Sequence, residues 1–82
     1  MYKIILSKKA KQQLIKLPKE MQKRISAVIE RLKIRPYHLA KRKQGTPLYR
    51  VRAGNYRLII EIRNKELIIY VIEMGPRKNI YK

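Results

Sequence analysis

The stretch Leu48-Tyr49-Arg50-Val51-Arg52-Ala53-Gly54-Asn55-Tyr56-Arg57-Leu58-Ile59-Ile60-Glu61-Ile62-Arg63 decides the fold. Apolar residues alternate along it with period two, the signature of strands with one buried face. Gly54-Asn55 interrupts the alternation with two residues that tolerate positive φ, as a two-residue hairpin loop requires. Strands are therefore expected over Leu48–Ala53 and Tyr56–Arg63, with Ala53 facing Tyr56, Arg52 facing Arg57, Val51 facing Leu58 and Arg50 facing Ile59. A third strand is expected over Glu66–Met74 after an Asn64-Lys65 loop, which sets Ile62 against Leu67, Ile60 against Ile69, Leu58 against Val71 and Arg57 against Ile72. Both registers place Tyr49, Val51, Ala53, Tyr56, Leu58, Ile60 and Ile62 on one side.

Working back from this meander, the N-terminal half changes period. Tyr2–Leu6 reads as a first strand. Ser7 can cap a helix running to about Leu17, with Ala10, Leu14 and Leu17 on one side. Pro18 ends that helix and opens the next. In the second helix Met21, Ile25, Val28, Ile29 and Leu32 form an apolar stripe, and Pro36 closes it. Two amphipathic helices on so short a link imply an antiparallel hairpin lying on a sheet. Arg35–Pro47 is expected to be a loop, its Lys41-Arg42-Lys43 either a phosphate-contacting patch or solvated charge. The expected fold class is α+β, in the order β-α-α-β-β-β: one domain over residues 1–82, an antiparallel sheet packed on an N-terminal helical hairpin, with a short C-terminal tail or turn.

Composition narrows the function. An 82-residue chain hides only about 60–65% of its unfolded surface on folding, so one shared core must stabilise it. With no cysteine, one histidine and five glutamates as its whole acidic content, neither a disulfide scaffold nor a metal centre is expected. The apolar run Ile4–Leu6 is too short for a signal segment or a membrane span, so the default location is cytoplasmic. Against those five acids stand 22 Lys+Arg, a formal net charge of +17. Such a charge calls for a polyanionic partner.

The arginines have a definite place in this scheme. Arg50, Arg52 and Arg57 share the sheet face away from the helices, and an opposed Arg52/Arg57 pair is unfavourable by about 0.2–1 kcal/mol unless an anion lies between them. Gly75-Pro76 then turns the chain and delivers Arg77, Lys78 and Tyr81 to the same neighbourhood. Guanidinium groups bind phosphate bidentately and stay charged, so several around one phosphate would stabilise a phosphorane-like transition state. RNA supplies its own nucleophile, the 2′-OH. A general base is harder to find: Glu61 is the nearest carboxylate, His38 reads as an ordinary surface residue, and Tyr81 serves either as a base or as a platform for a stacked nucleobase. Ile59, Ile68, Tyr70 and Ile72 form an apolar patch beside the arginines that a partner or the tail is expected to cover.

The segments Leu48–Ile60 and Gly75-Pro76-Arg77-Lys78-Asn79-Ile80-Tyr81 resemble the RelE group of the RelE/ParE toxins, and the order of elements agrees over nearly the whole chain. The resemblance implies a ribosome-dependent endoribonuclease that needs no cofactor or metal and cleaves messenger RNA in the decoding site by 2′-OH attack. It also implies a RelB-like antitoxin that neutralises the toxin, with operator DNA contacted only through the toxin–antitoxin complex. Carried over by position, Arg50 and Arg52 match two basic strand residues, Arg57 the phosphate-binding arginine, Arg77 the proposed acid and Tyr81 the C-terminal tyrosine. Lys41, Arg42, Lys43 and Lys78 are candidate contacts to messenger and ribosomal RNA. Two departures stand out. Some members carry lysine where Arg50 and Arg52 stand, and arginine cannot give up its proton as a base must; many carry histidine in place of Pro76. Two rivals remain: a ParE-like gyrase inhibitor, which needs no phosphate cluster, and an RNA-binding module without catalysis.

Overall fold

The computed structural model describes residues 1–76. Its elements are β1 (Lys3–Leu6), α1 (Lys8–Ile15), α2 (Lys19–Ile34), α3 (Pro36–Leu39), β2 (Ala40–Arg42), β3 (Leu48–Ala53), β4 (Tyr56–Arg63) and β5 (Ile68–Pro76). They form a five-stranded open sheet in the order β1-β5-β4-β3-β2. The expected α+β class holds and the expected elements keep their order, with α3 and β2 inserted before the meander; the sheet is mixed rather than wholly antiparallel. β1 joins the meander through a parallel pairing with β5, Lys3 opposite Ile68 and Leu6 opposite Val71.

Ser7 does two jobs at the start of α1. In an extended conformation it accepts the Ala10 N–H at 3.0 Å, satisfying one of the helix's unpaired amides, and its own hydroxyl donates to the Ile72 carbonyl. The Gln22 amide crosses the short α1–α2 link and donates to the Leu17 carbonyl at 2.8 Å. From α2, Ile25, Val28, Ile29 and Leu32 are buried, as their spacing predicts, and Met21 packs at the margin. They meet Val51, Ala53, Leu58, Ile60, Ile69, Val71 and Met74 from one face of the sheet, with Ala10 of α1. The core is this single layer between helices and sheet; truncating a leucine within such packing typically destabilises by about 2–5 kcal/mol.

The β3–β4 register is the predicted one, from Ala53 opposite Tyr56 to Arg50 opposite Ile59, with Gly54 at φ +62° in the turn. The β4–β5 register is not. Ile62 faces Ile69 and Ile60 faces Val71, a slip of two residues that preserves the buried face. Its cause lies in the loop. Asn64-Lys65 lacks a glycine for the left-handed positions of a two-residue hairpin turn, and the chain instead makes a wider reversal, with the Leu67 N–H donating to the Asn64 carbonyl at 3.2 Å and Leu67 at φ +55°. Leu67 is consequently exposed rather than facing Ile62 in the core.

A bulge comes next along the strand. Ile59 pairs with Glu73 although Ile60 pairs with Val71, so Ile72 is the extra residue, and beyond it Leu58 faces Met74 and Arg57 faces Gly75 instead of Ile72. α1 flanks this irregular segment: Ser7 bonds the Ile72 carbonyl, and the Met74 N–H donates to Gln13 Oε1 at 2.7 Å. The expected Arg35–Pro47 loop also holds structure. Pro36 sits in the first turn of α3, and Ala40–Arg42 adds an edge strand to β3 before a turn through Gly45, at φ +78°.

Candidate nucleic-acid interface

Cross-strand partners share a face, so the register lays out the sheet surface away from the helices as rows. One row runs Arg52–Arg57–Gly75; the next runs Lys41–Arg50–Ile59–Glu73. Three arginines and a lysine from three strands therefore occupy adjacent rows. The β2 strand recruits Lys41 to this surface as the partner of Arg50; sequence reading placed it in a loop. Arg42 pairs with Tyr49 of the opposite parity and bonds the Thr46 carbonyl through Nε at 3.3 Å. Lys43 is half-buried in the turn, its N–H donating to the Leu48 carbonyl at 2.8 Å. The Lys41-Arg42-Lys43 run is thus divided, with Lys41 joining the arginine face.

Burial differs sharply within the cluster. Arg52 is exposed, Arg50 half-buried, and Arg57 only 6% exposed, the one buried charged residue among those described. Arg57 Nη1 donates to its neighbour's carbonyl, Tyr56 O, at 3.3 Å. Among the described residues, Glu30 pairs with Lys33, Glu61 and Glu66 with Arg63, and Glu73 with Lys9. With 22 basic side chains against five acids, the chain as a whole carries the positive charge that attracts a polyanion. Glu61, expected as the nearest base, lies in the next row between Leu48 and Tyr70, and its bond and charge raise the Arg63 pKa above the usual arginine value.

β5 is described as far as Pro76, which faces Tyr56 next to the Gly54-Asn55 turn and the Arg52/Arg57 pair. Arg77, Lys78 and Tyr81, the remaining expected site residues, lie outside the described residues.

Within the expected apolar patch, Ile59 is buried, at 4% exposure. Ile68, Tyr70 and Ile72 are half-buried, and the Arg63 guanidinium carbon stacks 5.0 Å from the centre of the Tyr70 ring. Sequence reasoning missed Glu73 altogether. In the two-residue-loop register it fell on the core side, and only the bulge turns it to the arginine side; no glycine or proline at Ile72 signals that bulge.

The sheet carries helices on one face and a basic cluster on the other, and the comparisons place this arrangement among small toxins of the RelE/ParE superfamily. Residues 4–81 match the family described as ParE toxin of type II toxin–antitoxin system, and the chain belongs to that family. Among solved structures, the archaeal RelE–RelB complex from Pyrococcus horikoshii OT3 is 28% identical, with a TM-score of 0.81 over 93% of this chain and 94% of that one. The RelB–RelE antitoxin–toxin complex from Methanococcus jannaschii is 29% identical, with a TM-score of 0.75 over 94% of both chains. The intact E. coli RelBE toxin–antitoxin complex, at 18% identity and a TM-score of 0.80 over 93% and 96% of the chains, shows the same fold. No curated protein sequence matches.

Proposed function

We propose that this toxin is a single-domain, cytoplasmic, ribosome-dependent endoribonuclease that cuts messenger RNA by attack of a 2′-OH on the adjacent phosphate, without metal or cofactor. The observation that carries the reading is the opposed Arg52/Arg57 pair, with Arg50 and Lys41 in the adjacent row. Arg57, buried beside the exposed Arg52, is suited to hold a phosphate in a low-dielectric setting, where a fixed charge acts most strongly. Arg77 and Tyr81 complete the proposed catalytic set, with Arg77 as acid. Lys41 and Lys78, with Arg42 and Lys43 further round the edge, hold messenger and ribosomal RNA by charge. A RelB-like antitoxin neutralises the toxin, as the archaeal relatives are found bound to RelB, and operator DNA is met only through that complex.

A specific observation favours a second reading: the family matched is that of ParE toxins, so inhibition of gyrase by protein contact is the alternative. The two separate in one experiment. A translation extract with a defined message should yield site-specific cuts only when ribosomes are present, while gyrase supercoiling proceeds unimpaired. Intact message together with failed supercoiling would establish the ParE-like activity. Protection of RNA without cuts would reduce the domain to a binding module.

A further inference from the structure

Cleavage at the arginine cluster needs a proton acceptor, and we infer that Glu73 is the general base that activates the 2′-OH. The inference rests on the nuclease reading and adds a residue to it. Its basis is the bulge at Ile72, which sets Glu73 opposite Ile59 and in the same row as Arg50, two residues along β5 from the Gly75 that faces Arg57. Arg57 and Glu73 are thus diagonal neighbours, about 7–8 Å apart at the backbone and within reach of long side chains converging on one ligand.

The other described acids are placed elsewhere. Glu20 and Glu30 lie on α2, Glu66 lies in the far turn, and Glu61 sits a row further away, bonded to Arg63 at 3.0 Å. His38 is on α3. Glu73 keeps about a third of its side chain exposed, at 36%. The charges disposed about it are Lys9 on α1, with Nζ 3.0 Å from its carboxylate, Arg50 on β3 and Arg57 on β4. Lys9 is itself 64% exposed, so this ion pair is screened by solvent and readily exchanged for contact with a substrate.

The step balances without a co-reactant. A Glu73 carboxylate oxygen takes the proton of the 2′-OH; O2′ forms a bond to phosphorus as the bond from phosphorus to the 5′-oxygen breaks. The departing oxygen takes a proton from the general acid of the proposed function. The products are a 2′,3′-cyclic phosphate and a 5′-OH, and Glu73 returns to its ionised form by losing the proton to water.

The test is single-turnover cleavage of a ribosome-bound message across a pH series by wild type, Glu73→Gln and Lys9→Met. The amide is isosteric and cannot accept the proton, so Glu73→Gln should slow cleavage about 10²–10⁴-fold, as general-base loss does. It should also abolish the fall in rate on the acid side, with message binding unchanged. Lys9→Met breaks the same ion pair but should cut at close to the wild-type rate. If Glu73 merely ties α1 to β5, the two variants will lose equal activity and both will keep the acid-side fall; that result overturns the assignment alone. A wild type that does not cut at all overturns the nuclease reading itself, and the assignment with it.

Discussion

Arg57 on β4 lies directly opposite Gly75 on β5, so a buried cationic side chain stands across from a residue that has none. This pairing depends on the two-residue slip after Asn64 and the extra residue at Ile72, and it places Gly75 and Pro76 beside the basic cluster. Replacing Arg57 by lysine keeps the charge but loses the planar, bidentate fork. Cleavage of ribosome-bound message should fall about 10²–10³-fold, the usual effect of losing one fixed donor to a transition-state oxyanion. An unchanged near-ultraviolet dichroism spectrum would show that the fold survives.

Gln13 should prove important to stability. Its Oε1 accepts the N–H of the buried Met74 just past the bulge. Gln13→Ala leaves that amide without its partner, a loss of about 1–3 kcal/mol readable as a lower urea midpoint. Gln13→Glu keeps an acceptor oxygen in place and should recover most of that loss.

Gly54 supports a sharper test of the hairpin. Its φ of +62° is unfavourable for any residue with a Cβ, and an added Cβ would come within 2.7 Å of Arg24 Nη1. The guanidinium is the far end of an exposed, flexible side chain and can swing aside, so backbone strain should dominate. Gly54→Ala is expected to destabilise by about 1–2 kcal/mol. The Arg24→Ala/Gly54→Ala double variant should recover little of it relative to Arg24→Ala alone. Recovery of most of the loss would mean that the Arg24 contact, not the turn conformation, sets the requirement for glycine.

The half-buried Ile68, Tyr70 and Ile72 give the antitoxin prediction. Hydrogen exchange of the toxin with and without its antitoxin should show added protection across Ile68–Ile72. Unchanged protection there would remove this strand from the antitoxin footprint.

The contrast between the two hairpins explains what the sequence reveals. At Gly54-Asn55 the turn chemistry and the alternation of Val51, Ala53, Tyr56 and Leu58 specify one register, and Arg52 opposite Arg57 follows directly. At Asn64-Lys65 no residue demands a particular turn. The periodicity of β5 is satisfied equally by a register two residues away, because an even slip leaves Ile69 and Val71 buried. The bulge is less legible still, since its stabilising bonds come from Ser7 and Gln13, more than 60 positions earlier in the chain. For the same reason the buried face and the arginine cluster could be read in advance, whereas Glu73 and Lys41 could not. Lys41 lies on the short strand Ala40–Arg42, too brief to show periodicity, and is ordered mainly by pairing with β3.

The most direct measurement of the central claim uses a message carrying one 2′-deoxynucleotide immediately 5′ of the mapped cleavage site. If the arginine face stabilises a phosphate attacked by the neighbouring 2′-OH, the toxin will bind the ribosome-bound message as before, will not cut at that position, and will leave a 2′,3′-cyclic phosphate on the unsubstituted control. Cleavage of the deoxy-substituted message at the same site would require another nucleophile and contradict the account.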